Sequence, residues 1–266
     1  MDLQLKGKRA LVTGGSRGLG RAIAMQLVSE GVDCVVSARN MDALKATATE
    51  LAAASGCKCV PVQADTGDLN SIRQMVARAV EALGGLDILV NCAARVMKGE
   101  ARETLHNTTD ELVLKDYEEK VMGYLRCVRE VVPHMQKAGG GRILNLSGSA
   151  ARFGGFLSSG ARNAAIVNMS KSLAMELAPQ RIYVNTILPG VTRTEAFDEK
   201  MRLQAQNKGI SVAEHVSQVS ARRTLGRVVT AEELASVAVF LVSPRAIGIN
   251  GEAIAVTGGE GTTVHY

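Results

Sequence analysis

Short apolar runs alternate with longer stretches of helical spacing along nearly all of this 266-residue chain. The apolar runs predict strands at residues 10–12, 34–36, 59–62, 86–90, 143–146, 182–184 and 253–256. Helical patterns lie between them at residues 18–30, 41–54, 69–83, 110–137, 160–177 and 231–241. Strands that alternate with helices in this way predict an α/β fold with a doubly wound, parallel, seven-stranded sheet. The strands are continuously apolar, as expected where helices cover both faces of a sheet.

The composition excludes membrane-spanning proteins. Hydrophobic residues make up 46% of the chain and charged residues 21%, which is typical of a globular protein. No linker or repeat divides residues 1–266, so we expect one domain. No apolar run reaches the roughly 18 residues that cross a bilayer, and the N-terminus lacks the features of a signal peptide. We therefore expect a soluble, cytoplasmic protein with no membrane partner.

The net charge and the cysteine content limit the classes of ligand that we expect the protein to bind. The net charge is +5, without a basic block and with few aromatic residues, so we expect no nucleic-acid partner. A small positive excess instead suits an anionic small molecule. The five cysteines are odd in number and fit no zinc-binding spacing, so we expect no metal site.

A glycine-rich loop, Thr-Gly-Gly-Ser-Arg-Gly-Leu-Gly, joins the first predicted strand to the first helix, with glycines at 14, 18 and 20. Glycines let the backbone approach a pyrophosphate closely, and a helix N-terminus favours its negative charge. The alternative is an ordinary glycine-rich turn. The strand before the loop and the helix after it favour a dinucleotide site, and hence a Rossmann-type fold.

The end of the second strand indicates which dinucleotide binds. NAD enzymes place an acid there to hold the ribose hydroxyls, whereas this strand ends Ser-Ala-Arg-Asn, with Arg39 and Asn40 last. Arg39 can pair with a 2′-phosphate, and Arg17 in the glycine loop can assist. The alternative for each arginine is a solvated surface charge. We predict NADP(H) as the cofactor, with NAD(H) as the alternative.

The glycine spacing resembles the T-G-x-x-x-G-x-G signature of the short-chain dehydrogenase/reductase family. Other segments resemble that family too: Asn91-Cys92-Ala93-Ala94 stands where it has Asn-Asn-Ala-Gly, and residues 257–259 resemble its terminal Asp-Gly-Gly. The family contacts adenine near the position of Asp65 and Thr66, and the nicotinamide amide near the Pro-Gly at 189–190. The resemblance implies that the cofactor contacts are Gly14, Ser16, Arg17, Gly18, Leu19, Gly20, Arg39, Asn40, Asp65, Thr66, Asn91, Ala93, Pro189, Gly190 and Thr192.

The family's catalytic tetrad of Asn, Ser, Tyr and Lys is altered at every position. Alignment places Lys120 at the Asn position, Gly148 at the Ser position, Ser159 at the Tyr position and Asn163 at the Lys position. Ser147 and Ser149 flank Gly148, and strand alternation turns both away from the side of residue 148 unless a bulge presents one of them. The candidate catalytic residues are therefore Lys120, Ser147, Ser149, Ser159 and Asn163.

The acidity and the charge of the side chains rank these candidates. A serine hydroxyl is a far poorer acid than a phenol, so Ser159 cannot simply replace tyrosine. Asn163 could hydrogen-bond the cofactor ribose, but it carries no charge. Lys120 projects from the neighbouring helix, where a buried ammonium would have a lowered pKa and could donate a proton or stabilise an oxyanion. The alternative for Lys120 is a surface lysine, and we expect Tyr124, one turn later, to pack in the core.

We predict an NADP-dependent oxidoreductase that acts on a carbonyl or alcohol small molecule. A catalytically impaired, regulatory NADP-binding protein is the first alternative, and a lyase or isomerase is the second. The resemblance also implies a homotetramer or homodimer built on the long apolar helices. We expect residues 194–221 to form a mobile lid, and residues 95–115, longer than in the family, to shape the substrate pocket.

Overall fold

The computed structural model of the protein describes residues 1–94 and 103–261, so residues 95–102 of the predicted pocket segment 95–115 lie outside the described residues. Seven strands form one parallel sheet, which confirms the predicted fold class. They are β1 (Arg9–Thr13), β2 (Asp33–Ala38), β3 (Cys59–Gln63), β4 (Ile88–Asn91), β5 (Gly141–Leu146), β6 (Ile182–Pro189) and β9 (Ala253–Val256).

The order of strands in the sheet is β3-β2-β1-β4-β5-β6-β9. The order therefore reverses between β1 and β4, and ligands of such sheets bind in the crevice beyond the carboxyl ends of the strands at this reversal. In register, Thr13 of β1 lies opposite Asn91 of β4, which in turn lies opposite Asn145 of β5. These polar residues mark the edge of the sheet where a cofactor site is expected.

Helices cover both faces of the sheet. The helices are α1 (Gly18–Ser29), α2 (Met41–Ser55), α3 (Leu69–Leu83), α4 (Asp110–Asp116), α5 (Gly123–Lys137), α6 (Leu157–Leu177), α7 (Phe197–Lys208), α8 (Val212–Ser220) and α9 (Ala231–Leu241). Buried residues of α1, α2 and α9 pack on one face, and those of α3, α5 and α6 pack on the other. Successive residues of β1 alternate between the two cores, because side chains of a strand point to opposite faces.

Two predicted segments differ in detail from the structure. The helix predicted at residues 110–137 is interrupted by a π-helical segment, Tyr117–Met122, between α4 and α5. The segment predicted as a lid, residues 194–221, contains α7 and α8. The short strand β7 (Thr192–Arg193) precedes it and pairs in parallel with β8 (Val229–Thr230). Residues 194–221 are therefore largely helical, and their action as a lid stays a prediction.

Several features set limits on partners and ligands within the described part of the chain. No helix there combines the length and apolar character needed to cross a bilayer. The same residues bring together no group of three or more His, Cys, Asp or Glu side chains suited to a metal ion. All five cysteines are free thiols.

Candidate active site

The glycine loop is shaped by close backbone approach. Gly14 has φ +68°, and a Cβ at this residue would lie 2.9 Å from the Cα of Ala93. A Cβ at Gly20 would collide with the carbonyl oxygen of Gly14. Gly18 has φ +55° and begins α1. These positions require glycine, and the tight cradle they form at a helix N-terminus fits the pyrophosphate of a dinucleotide.

The other loop residues take different roles. The carbonyl of Ser16 accepts a hydrogen bond from Thr47 Oγ1 at 3.2 Å, and Leu19 packs against the core. The backbone N–H of Gly18 donates to Glu195 Oε2 at 2.9 Å. This contact ties the start of the segment 194–221 to the glycine loop, and sequence reasoning did not anticipate it because the two residues are far apart in the chain.

Two arginines stand at the carboxyl ends of β1 and β2. Arg17 and Arg39 are exposed, and neither has an ion-pair partner within residues 1–94 or 103–261. The side chain of Asn40 caps α2 by accepting from the N–H of Ala43 at 2.9 Å, so its contact is structural. Unpaired guanidinium groups beside a phosphate cradle suit a 2′-phosphate.

The predicted adenine-side residues lie at the end of the neighbouring strand β3. Asp65 is exposed, and its Oδ1 accepts a hydrogen bond from the N–H of Gly67 at 2.9 Å. The backbone oxygen of Thr66 lies where a Cβ on Gly123 would be 2.8 Å away. Gly123 therefore allows α5 to pack closely against the loop that follows β3.

The predicted nicotinamide-side residues follow β4 and β6. Asn91 is fully buried, donates from Nδ2 to Asn145 at 2.9 Å, and has an Oδ1 without a partner in the described ranges. The N–H of Ala93 donates to Thr13 Oγ1 at 3.2 Å. Pro189 ends β6 and Gly190 follows it, and the hydroxyl of Thr192 donates to the carbonyl of Gly190 at 3.1 Å. The structure thus places the predicted cofactor residues along one edge of the sheet.

Lys120 is buried, with 4% of its surface exposed, so it is not a surface lysine. It lies in the π-helical segment that joins α4 to α5, a local form often found at functional sites. Its Nζ donates to the carbonyl of Ser147 and to Oδ1 of Asn163, both at 2.8 Å. These two acceptors fix the position of the amine between α5, β5 and α6.

The environment of Lys120 alters its proton affinity. Burial, and after it the charge of Arg162, lowers the pKa of Lys120 from 10.5 to about 7, a net effect that outweighs the opposing influence of Cys92 and Asp116. The ring of Tyr124 is 6.0 Å from Nζ and is fully buried, so this tyrosine is a core residue whose hydroxyl donates to the carbonyl of Leu146. A lysine with a pKa near 7 can exchange a proton at neutral pH.

Lys120, Asn163 and Gly148 form a matched set. The family resemblance puts an amide at 120 and an amine at 163, and here the two residue types are exchanged. A Cβ on Gly148 would lie 2.7 Å from Nδ2 of Asn163, so glycine makes room for this asparagine. The Ser147 hydroxyl donates to the carbonyl of Asn163 at 2.8 Å. Ser149, half-buried at the start of the next turn, has no side-chain hydrogen bond to the described residues.

Ser159 lies one turn before Asn163 on α6 and is bonded to a residue that sequence reasoning missed. Its hydroxyl donates to Glu103 Oε1 at 2.6 Å. Glu103 Oε2 also accepts from the N–H of Ser158 at 2.8 Å. Because Phe156 provides no side-chain cap, Glu103 serves as the N-terminal cap of α6. A side chain longer than serine at 159 would meet this carboxylate.

A buried ion pair lies beside the same turn. Arg162 Nη1 is 2.7 Å from Asp116 Oδ1, and both residues are buried. Asp116 Oδ2 accepts from the hydroxyl of Ser158 at 2.7 Å. The charge of Arg162 is therefore neutralised by Asp116 and is not free for an anionic substrate group. Pairing between α4 and α6 could not be read from sequence spacing.

Comparison with known proteins covers nearly the whole chain. A family model described as enoyl-(acyl carrier protein) reductase matches residues 14–260. The chain is 34% identical over 260 residues to the sorbitol dehydrogenase of Cereibacter sphaeroides, an alignment that covers 97% of this chain and 98% of that protein. It is 33% identical over 251 residues to the short-chain reductase protein NovJ of Streptomyces niveus, with coverages of 94% and 92%.

A solved structure agrees with these relatives. The L-sorbose reductase of Gluconobacter frateurii, in complex with NADPH and L-sorbose, matches with a TM-score of 0.93 and 31% identity. The match covers 99% of this chain and 100% of the reductase. With the glycine loop, the sheet order and these relatives in agreement, the chain belongs to the short-chain dehydrogenase/reductase family.

Proposed function

We propose that the protein is an NADP-dependent oxidoreductase that interconverts a carbonyl and an alcohol on a small molecule, with Lys120 as the proton donor. The observation that carries this proposal is the buried Nζ of Lys120, held at 2.8 Å by two acceptors and lowered in pKa to about 7. A buried lysine with a matched pKa is the type of group that acid–base catalysis uses.

The cofactor proposal rests on the chain's own residues. The cradle of Gly14, Gly18 and Gly20 would hold the pyrophosphate, and Arg39 with Arg17 would hold the 2′-phosphate. The NADPH complex of the sorbose reductase supports the same choice, with NAD(H) as the alternative. When bound, the nicotinamide supplies the hydride.

The residues around Lys120 define what the chain contributes. Its ammonium has three N–H groups, of which Ser147 and Asn163 accept two, so one remains for a carbonyl oxygen. That N–H stabilises the negative charge that develops on the oxygen and then transfers its proton. A well-placed donor of this kind lowers the activation barrier by on the order of 3 kcal/mol, which raises the rate about a hundredfold.

The serines have unequal roles in this proposal. The single proton of Ser159 is already donated to Glu103, and that of Ser147 to a backbone carbonyl. Neither hydroxyl is therefore placed to protonate a substrate, and Ser149 is the serine that we propose contacts the substrate.

The free thiols of the chain favour the reducing cytoplasm as its compartment.

An assay of NADPH oxidation with a panel of neutral ketones, hydroxyketones and aldehydes tests the proposal. We expect the parent to turn over at least one carbonyl compound, and the Lys120→Met variant to turn over the same compound about a hundredfold more slowly. Lys115→Met, which removes an exposed lysine from α4, is the matched control. Binding of NADPH without turnover of any compound would replace this proposal with a regulatory NADP-binding protein.

A further inference from the structure

Glu103 places a carboxylate one helical turn from Asn163, the residue that holds the proposed proton donor. Its carboxylate touches Ser159, which is one turn from Asn163 on α6, and Asn163 contacts the amine of Lys120. Residues four apart on a helix have Cβ atoms about 5–6 Å apart on the same face. A carbonyl compound whose oxygen meets Lys120 therefore has its neighbouring carbon atoms within reach of Glu103.

The hydrogen bonds of Glu103 leave its carboxylate able to accept one further hydrogen bond. Oε2 accepts from the N–H groups of Ser158 and Ser159, at 2.8 Å and 3.3 Å. Oε1 accepts the Ser159 hydroxyl at 2.6 Å and shares the Ser159 N–H at 3.4 Å. A carboxylate has about four acceptor sites, so these three donors leave room for one more. An ionised carboxylate has no proton to donate, so it can bind a hydroxyl but not a second carboxylate.

The nearby cations do not offset the preference of Glu103 for a hydroxyl over a carboxylate. Arg162 is paired with Asp116 at 2.7 Å and is buried, so it is not available to a substrate anion. Lys120 is engaged with Ser147 and Asn163 and, in the proposed function, with the carbonyl oxygen. A substrate anion next to the carbonyl would thus face the charge of Glu103.

We propose that Glu103 determines substrate specificity, selecting neutral α-hydroxy carbonyl compounds over keto acids by accepting a hydrogen bond from the substrate hydroxyl. This inference rests on the proposed function for its placement of the carbonyl beside Lys120. It assigns a role to a residue that lies 56 positions from its partner Ser159 in the chain. Serine at 159 is part of the same arrangement, because a longer side chain would displace the carboxylate.

Dihydroxyacetone and hydroxypyruvate form a matched pair of probes, since a carboxylate in the second replaces a hydroxymethyl group in the first. We would measure the dissociation constant of each for the NADP⁺-loaded protein by saturation-transfer NMR, a state in which neither ketone can be reduced. The parent should bind dihydroxyacetone at least tenfold more tightly. Glu103→Gln, which keeps the shape and one acceptor oxygen, should reduce this ratio about tenfold, the size expected for two charges several Å apart in a partly solvated site.

Glu111→Gln is the control, because it removes the same charge from the exposed first turn of α4. It should leave the ratio unchanged. An unchanged ratio in Glu103→Gln, or binding of neither probe, overturns the inference. The ratio can change as expected while none of the carbonyl compounds causes the NADPH-loaded protein to oxidise its cofactor. In that case the proposed function fails, and the specificity of the site stands.

Discussion

Replacing Lys120 with methionine should remove a specific pH dependence of stability. In the folded protein, burial and the charge of Arg162 lower the pKa of Lys120 from 10.5 to about 7. Between these two values the unfolded chain binds a proton that the folded protein releases, so the free energy of unfolding rises with pH. This stability is fully present above the unfolded pKa and is lost as the pH falls through the folded pKa.

The size of the effect follows from the same two values. A group that is protonated only in the unfolded state adds about 1.4 kcal/mol per pH unit. Between pH 7.5 and pH 9, Lys120 should therefore add about 2 kcal/mol to the free energy of unfolding of the parent. Methionine also leaves the carbonyl of Ser147 and Oδ1 of Asn163 without their donor. That loss changes the absolute stability but not its slope with pH.

Urea unfolding followed by circular dichroism, at one protein concentration and without cofactor, measures this slope. Other titrating groups are common to the parent and the variant, so they cancel in the comparison. The control is Lys115→Met, whose lysine is 57% exposed and has Glu119 as its ion-pair partner among the described residues. This variant should retain the parent's rise. Equal rises in the parent and in Lys120→Met would show that the lysine keeps an ordinary pKa, and the reasoning would be refuted.

Three further predictions concern the cofactor, the assembly and the packing of the site. Arg39→Asp should weaken NADPH binding at least tenfold without weakening NADH binding, because it reverses the charge beside the 2′-phosphate; equal losses in fluorescence titrations would contradict the assigned preference. The chain should be a homotetramer or homodimer, since residues 121–132 and 164–177 form long helices with apolar faces, and light scattering that finds a monomer at micromolar concentration would refute this. Gly148→Ala should lower turnover about tenfold with unchanged NADPH affinity, because its Cβ would lie 2.7 Å from Asn163 and shift the acceptor of Lys120; full activity would show that this packing is unimportant.

Hydrophobic periodicity was sufficient to predict the sheet and most helices. The predicted strands at residues 34–36 and 143–146 lie within β2 and β5, and the predicted helix at 69–83 coincides with α3. Periodicity was insufficient at Tyr117–Met122, because a π-helical segment shifts hydrogen bonds without a distinct composition. Helix α7 had a usable signal that was not read, since its buried residues Phe197, Met201 and Ala205 are four apart.

The candidate site was only partly predictable from the sequence. Alignment brought Lys120 and Asn163 to one site, and the structure supplies the hydrogen bond between them. Glu103 escaped notice because its contact with Ser159 joins segments distant in the chain, and a single glutamate has no characteristic spacing. The reason for glycine at 148 likewise depends on a distance to Asn163 that only the folded chain provides.

The most direct test of the account compares Lys120→Met with Ser159→Ala in single-turnover oxidation of NADPH by a carbonyl compound that the parent reduces. We predict that Lys120→Met loses about a hundredfold in rate while its NADPH affinity stays within a few-fold of the parent's, since the lost donor is on the order of 3 kcal/mol. Ser159→Ala should lose much less, because its proton is held by Glu103. A Lys120→Met variant as active as the parent, or a larger loss in Ser159→Ala, would contradict the assignment of Lys120 as the proton donor.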